Sequence, residues 1–137
     1  MSDGSGLLGI AKKSGTLIIG SDSVGAAVRS GKARVILSAS DSSERSKRQA
    51  ENMAAAGNTL HVVLPFLKYE IGGMVGRGAP GIMAITDIGI ASAFLSALAG
   101  QNAAKYGDAA ATLEKKAKRS IQRKKTRKQV SMRRTKQ

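Results

Sequence analysis

Four short apolar runs punctuate the first hundred residues: Leu17-Ile18-Ile19, Val35-Ile36-Leu37, Leu60 to Leu64, and Ile82 to Thr86. Runs of this length bounded by Gly, Ser, Asn or Pro read as buried strands. Between them the apolar positions recur every three or four residues, as on one face of a helix. Leu7, Leu8, Ile10 and Ala11 predict a first short helix that ends at Lys12-Lys13-Ser14-Gly15. Val24, Ala27 and Val28 predict a second, closed by Ser30-Gly31. A third opens at Ser42-Ser43-Glu44, runs to about Ala56 and stops at Gly57-Asn58. Phe66, Ile71, Met74 and Val75 suit a fourth, weakened by Gly72-Gly73, and Asp87 caps a fifth that turns Ile90, Ala91, Phe94, Leu95 and Leu98 to the core.

This alternation predicts an α/β chain, a three-layer α/β/α sandwich around a small four-stranded sheet over residues 1–99. Aromatic residues make up only 3% of the chain, so the core must be mostly aliphatic. The stretch from Gly15 to Asp41 organises the rest. Its helix begins around Ser21-Asp22, where unpaired backbone N–H groups face outward, and the loop Ser38 to Asp41 leaves the next strand beside it. Two polar edges meeting at one end of a sheet make a candidate working surface.

Beyond Gly100 the composition changes. Ala103-Ala104, Tyr106-Gly107 and Asp108 to Ala111 read as a linker, with a marginal helix starting at Asp108; after Leu113 nearly every residue is Lys, Arg, Gln, Ser or Thr. Residues 100–137 are therefore expected to be a linker and a basic tail, disordered when free. Charge sharpens that division. Of the formal +14, residues 115–137 carry +12, with 12 Lys/Arg and no acid, while the other 114 residues hold 11 Lys/Arg against 9 Asp/Glu. Such a tail is either a solubilising extension or a salt-sensitive phosphate binder, and a nearly neutral body must supply any selectivity.

Little of the chain points to catalysis. It has no cysteine, hence no disulfide or thiolate metal site. No run approaches the roughly 20 apolar residues that span a bilayer, and residues 1–6 lack the basic flank and apolar stretch of a signal peptide, so a cytoplasmic location is expected. Gly4-Gly6-Gly9 and Gly76-Gly78-Gly81 both match GxGxxG, but neither follows a strand and opens a helix as a dinucleotide site requires. His61 is the single histidine and lies in an apolar strand, where a structural role is the ordinary one. The acids are scattered, with no close pair for acid–base work. The expectation is a non-enzyme with no cofactor, no metal and no small-molecule substrate. Arg45, Lys47 and Arg48 follow the Ser40-Asp41 loop closely enough to flank the proposed surface and meet phosphates.

The run SGTLIIGSDSVGAAVRSGKARVILSASDSSERSK, with the later EIGGMVGRGAPGIMAITDIGIASAFL, resembles the L-seven-Ae/L-thirty-e ribosomal protein family, in particular its small bacterial members of the YlxQ type. The likeness covers residues 6–99. Its most telling pieces are Arg29 to Arg34 leading into a strand, Ala39-Ser40-Asp41 after it, Glu70-Ile71-Gly72, and Ala84 to Asp87. The resemblance implies an α/β/α sandwich that binds RNA, commonly a kink-turn, a bent helix with tandem sheared G·A pairs. It assigns the grip on those pairs to Gly20, Ser21, Asp22 and Ser23, sets Ser40 and Asp41 beside them, and gives Gly78, Ala79, Pro80, Gly81 and Ile82 the cover over a flipped-out base. Lys12, Lys13, Lys32, Arg45, Lys47, Arg48 and Arg77 are then expected as supporting phosphate contacts. The expected partners are ribosomal or other structured RNA, together with ribosomal proteins, and no membrane. Asp22, Ser23 and Ala26 stand where the strongest kink-turn binders carry Asn, Glu and Lys. That departure motivates an alternative: a translation adaptor that docks on a protein while its tail holds nucleic acid without selectivity.

Overall fold

Side chains alternate along each strand, and this chain fills both faces with aliphatic residues. A computed structural model of the protein describes residues 3–135 apart from 77 and 79, with side chains through residue 127. Its strands are β1 (Leu17–Ile19), β2 (Val35–Ser38), β3 (Leu60–Val63) and β4 (Ile82–Ile85), in one sheet of order β1-β4-β2-β3. β2 and β3 are parallel, and β4 runs antiparallel to both β1 and β2. The carboxyl ends of β1, β2 and β3 therefore share one end of the sheet with the start of β4.

The helices are α1 (Ser5–Lys13), α2 (Ser21–Arg29), α3 (Glu44–Ala56), α4 (Lys68–Val75), α5 (Ile88–Gln101) and α6 (Ala103–Thr135). On one face Ile36, Ile82 and Ala84 meet Val24 of α2 and Ala50 and Ala54 of α3. On the other, Val35, Leu37, Met83 and Ile85 meet α1, α4, α5 and α6 in the larger core, filled by Phe94, Leu95 and Leu98 of α5. The expected α/β/α sandwich with four strands is present. Gly4 allows α1 to enter it: its φ is +85°, and a Cβ there would lie 2.7 Å from the Phe94 ring.

Two expectations need correction. Ile10 of the α1 stripe is exposed, because Leu8 and Ala11 point inward and its own position falls on the outer side. More important, the boundary placed at 99/100 moves. The stretch read as a linker is helical from Ala103, and Tyr106, Ala110 and Leu113 are buried against α5 and β3. These three lie at i, i+4 and i+7, one helical face, diluted in the sequence by Gly107 and small residues. The Tyr106 hydroxyl donates to the Val63 carbonyl at 2.9 Å. The packed body thus extends to Leu113, and the basic segment continues as the same helix, with every side chain from Ile121 to Arg127 exposed.

Among the described residues no helix is long and apolar enough to cross a membrane.

Candidate functional site

Four chain segments converge where β1, β2 and β3 end and β4 begins. The β1–α2 turn opens on Gly20, whose φ of 100° and ψ of 147° suit glycine alone. Its N–H donates to the Ile82 carbonyl at 3.1 Å, which ties the turn to the start of β4. No side chain caps α2, and Val24 is the first residue of the helix to donate back to Gly20. The N–H groups of Ser21, Asp22 and Ser23 therefore open outward, as a helix start requires when uncapped. Asp22 and Ser23 are exposed and Ser21 is half-buried.

The β2–α3 loop lies beside it. Ala39 N–H donates to the Gly81 carbonyl at 3.1 Å, and the buried Ser42 hydroxyl donates to the same oxygen at 2.7 Å. Ser40 uses both its N–H and its hydroxyl on the Phe66 carbonyl, at 2.8 and 3.0 Å, so it stitches in the β3–α4 loop. Asp41 caps the start of α4 by accepting from Lys68 N–H at 2.8 Å. Lys47 donates to the Ser40 carbonyl at 3.0 Å and lies 3.9 Å from Glu44.

Most of the expected site residues are brought together by this geometry. Gly20 to Ser23, Ser40, Asp41, Pro80 and Gly81 share one edge, with exposed Gly78 in the loop that leads to it and Arg45, Lys47 and Arg48 on the first turns of α3. Ser40 and Asp41 are spent on holding loops, so their role is to shape the edge. Arg77 and Ala79 lie outside the described residues. Ile82 departs from expectation. It is 8% exposed and packs among Val24, Ala50 and Ala84, which takes it out of reach of any flipped base.

Lys12, Lys13 and Lys32 also depart, since they belong to the opposite end of the sheet. Lys12 and Lys13 close α1 beside Thr16, whose carbonyl accepts from Thr86 just past β4. Lys32 donates its N–H to Ala27 at the end of α2, two residues before Arg34 N–H reaches the Ile85 carbonyl. Sequence spacing placed these lysines near the strands without saying at which end.

Three contributors to the edge were missed. Ser42 is the buried clamp on Gly81, indistinguishable in sequence from the helix-opening serine beside it. Lys68 runs alongside Gly81, with its Cδ 3.6 Å from where a Gly81 Cβ would stand. Tyr69, on the first turn of α4 at this same end, is 76% exposed and offers a bare aromatic face. Among the described residues the edge carries Asp22, Asp41, Glu44 and Glu70 alongside Arg45, Lys47, Arg48 and Lys68.

No family model matches the chain, and no curated protein does. A solved structure, a protein with unknown function from Bacillus halodurans C, is similar with a TM-score of 0.65 at 19% identity, covering 69% of this chain and 95% of that one. Such a likeness speaks for the fold alone, and close to a third of this chain has no counterpart there.

One further arrangement has catalytic-looking geometry. The Ser38 hydroxyl lies 2.7 Å from His61 Nε2, and His61 Nδ1 bonds the Glu51 carboxylate on α3. A nucleophile needs access to substrate, and Ser38 is 0% exposed beneath α3. The chain of bonds ties β2, β3 and α3 together and serves packing.

Proposed function

We propose that this protein binds structured RNA through the edge formed by Gly20 to Ser23, the Ser40–Ser42 loop and the Pro80-Gly81 turn, as a ribosomal or ribosome-associated protein of the cytoplasm. The observation that carries the reading is the stitching of three loops around Gly81 and Ile82, which holds an uncapped helix start against a glycine-rich turn. Irregular RNA is recognised by shape, backbone contacts and splayed bases, and a rigid edge with outward N–H groups and an exposed Tyr69 suits each of these. The resemblance to the L-seven-Ae/L-thirty-e family, whose members grip the G·A pairs of kink-turns at the corresponding turn, supports the same ligand. A salt series of filter-binding titrations tests it: the full chain should prefer a kink-turn over a plain duplex of equal length, and Ser21→Glu with Ser23→Glu should abolish the preference. Equal affinity for the two RNAs at every salt concentration would defeat selective recognition.

The adaptor reading has one observation in its favour. Among its described residues the edge carries as many acids as cations, and Leu67 and Tyr69 are exposed beside it, as on a protein-docking surface. Cellular crosslinks to RNA confined to Lys115 to Lys136, with none from the edge, would decide for it.

A further inference from the structure

We infer that the end of the sheet opposite this edge is a second nucleic-acid surface, one that takes the phosphate backbone of a double-helical RNA segment, so that the protein joins two RNA elements. The inference rests on the RNA reading above. Helix α6 makes the second surface. It begins at the candidate edge, where Tyr106 bonds Val63, and descends along the core to the far end of the sheet. There Lys116 lines a cleft of about 120 Å³ with Gly31, Arg34 and Asn58, at the starts of β2 and β3. Arg34, Lys116, Arg119 and Arg123 then surround an adjoining cleft of about 280 Å³.

Among the described residues none of these four cations has a carboxylate within 4.0 Å, and the α6 ion pair lies elsewhere, between Lys118 and Glu114. Converging, unpaired like charges repel one another, and a polyanion relieves that repulsion. The candidate edge differs in that acids stand among its cations, Glu44 lying 3.9 Å from Lys47, whereas no acid lines the far-end cleft. Shape recognition and phosphate affinity are thus separated on the molecule. Arg34 and Ala39 flank β2, roughly 17 Å apart along an extended strand, so the two ends face different ligand segments.

A duplex fits the far end. From Lys116 to Arg127 α6 advances about 16 Å, a length over which B-form DNA presents about nine charges and the more compact A-form RNA helix more. A-form RNA is read mainly through its backbone, which requires cations and no base-specific groups. A membrane surface is the weaker candidate, because a helix lying in lipid needs an apolar face, and Ile121 is the one large apolar residue between Glu114 and Arg127.

The test uses the full chain, the variant Lys116→Gln/Arg119→Gln/Arg123→Gln and the edge variant Ser21→Glu/Ser23→Glu. Titration with a 20-base-pair duplex RNA should show the cation variant weakened about tenfold or more, with a salt slope lower by about 2–3, while the edge variant binds duplex like the parent. Immobilised kink-turn RNA loaded with the parent should retain labelled duplex, and loaded with the cation variant should retain about tenfold less at the same duplex concentration. The inference is overturned if the cation variant binds duplex unchanged, if the edge variant loses duplex binding equally, or if phosphatidylserine vesicles bind the chain and duplex does not. Absence of any kink-turn preference would instead strike the reading of the edge, and the far end is then judged by the direct duplex titrations of the two variants.

Discussion

Replacing Leu113 with alanine should destabilise the entire protein, although the residue sits in what the sequence presents as the start of a charged tail. Leu113 is 0% exposed and shares the larger core with Tyr106, Ala110 and the α5 residues Phe94 and Leu98. Leu→Ala removes three carbons, worth about 0.8 kcal/mol each in transfer from water, and a cavity term adds to that where neighbours cannot close the gap. Measured substitutions of this kind fall in the range of about 2–5 kcal/mol. α6 forms one side of the core and can shift inward, which places the expectation in the lower part, about 2–4 kcal/mol. With a urea m-value of about 2 kcal/mol per M, the midpoint should fall by about 1–2 M in a circular-dichroism titration, with one cooperative transition retained. Ending the chain after Ser120 serves as the control and should leave the midpoint nearly unchanged, since the side chains from Ile121 to Arg127 are exposed. A Leu113→Ala midpoint within error of the parent would show that α6 does not belong to the core, and the extension of the body to residue 113 would fall.

Other substitutions probe the remaining layers. His61→Ala leaves the buried Ser38 hydroxyl without a partner and should cost about 1–3 kcal/mol; adding Ser38→Ala should cost less than the two singly, and additivity in a urea cycle would refute a coupled bond chain. Gly57→Ala places a Cβ 2.3 Å from Val28 Cγ1 and should lose about 1–3 kcal/mol, with recovery on adding Val28→Ala; an unchanged melting temperature for the single variant would count against this packing of α2 on α3. Asp22→Asn removes one exposed negative charge from the candidate edge and should tighten RNA binding about two- to fivefold at low salt, an effect that vanishes at high salt; weaker binding would mean that the carboxylate accepts from the RNA.

The layered fold was legible because local signals agreed with one another. Strands β1 to β4 are short apolar runs with polar stops, and α5 repeats its apolar positions at helical spacing behind a capping aspartate whose carboxylate accepts from Ile90 N–H at 2.9 Å. α6 was hidden for the opposite reason. Its buried face consists of Tyr106, Ala110 and Leu113, separated by glycine, alanine and charge, so its helical period is faint, and the lysines that follow suggest an unfolded chain. At the candidate site, the turn at Gly20 to Ser23 and the Ser40-Asp41 loop could be read because each interrupts an apolar run. The roles of Ser42, Lys68 and Tyr69 could not, since they depend on which loops the sheet order brings together. The same limit misplaced Lys12, Lys13 and Lys32: knowing that a lysine borders a strand does not tell to which end of the sheet it belongs until the strand directions are known. Ile82 was misassigned by a single step of the side-chain alternation that turns it toward α2 and α3.

The course of α6, rising from one end of the sheet and departing from the other, has a practical bearing on handling the protein. A fluorophore or capture group fused beyond that helix stands about 50 Å of helical rise from its first turn, so the molecule can be anchored to a chip by its carboxyl end while the Gly20–Ser23 turn looks into solution. Anchored by its amino end, near α1 and the Phe94 side of the core, it would crowd the layer on which α4 presents Tyr69.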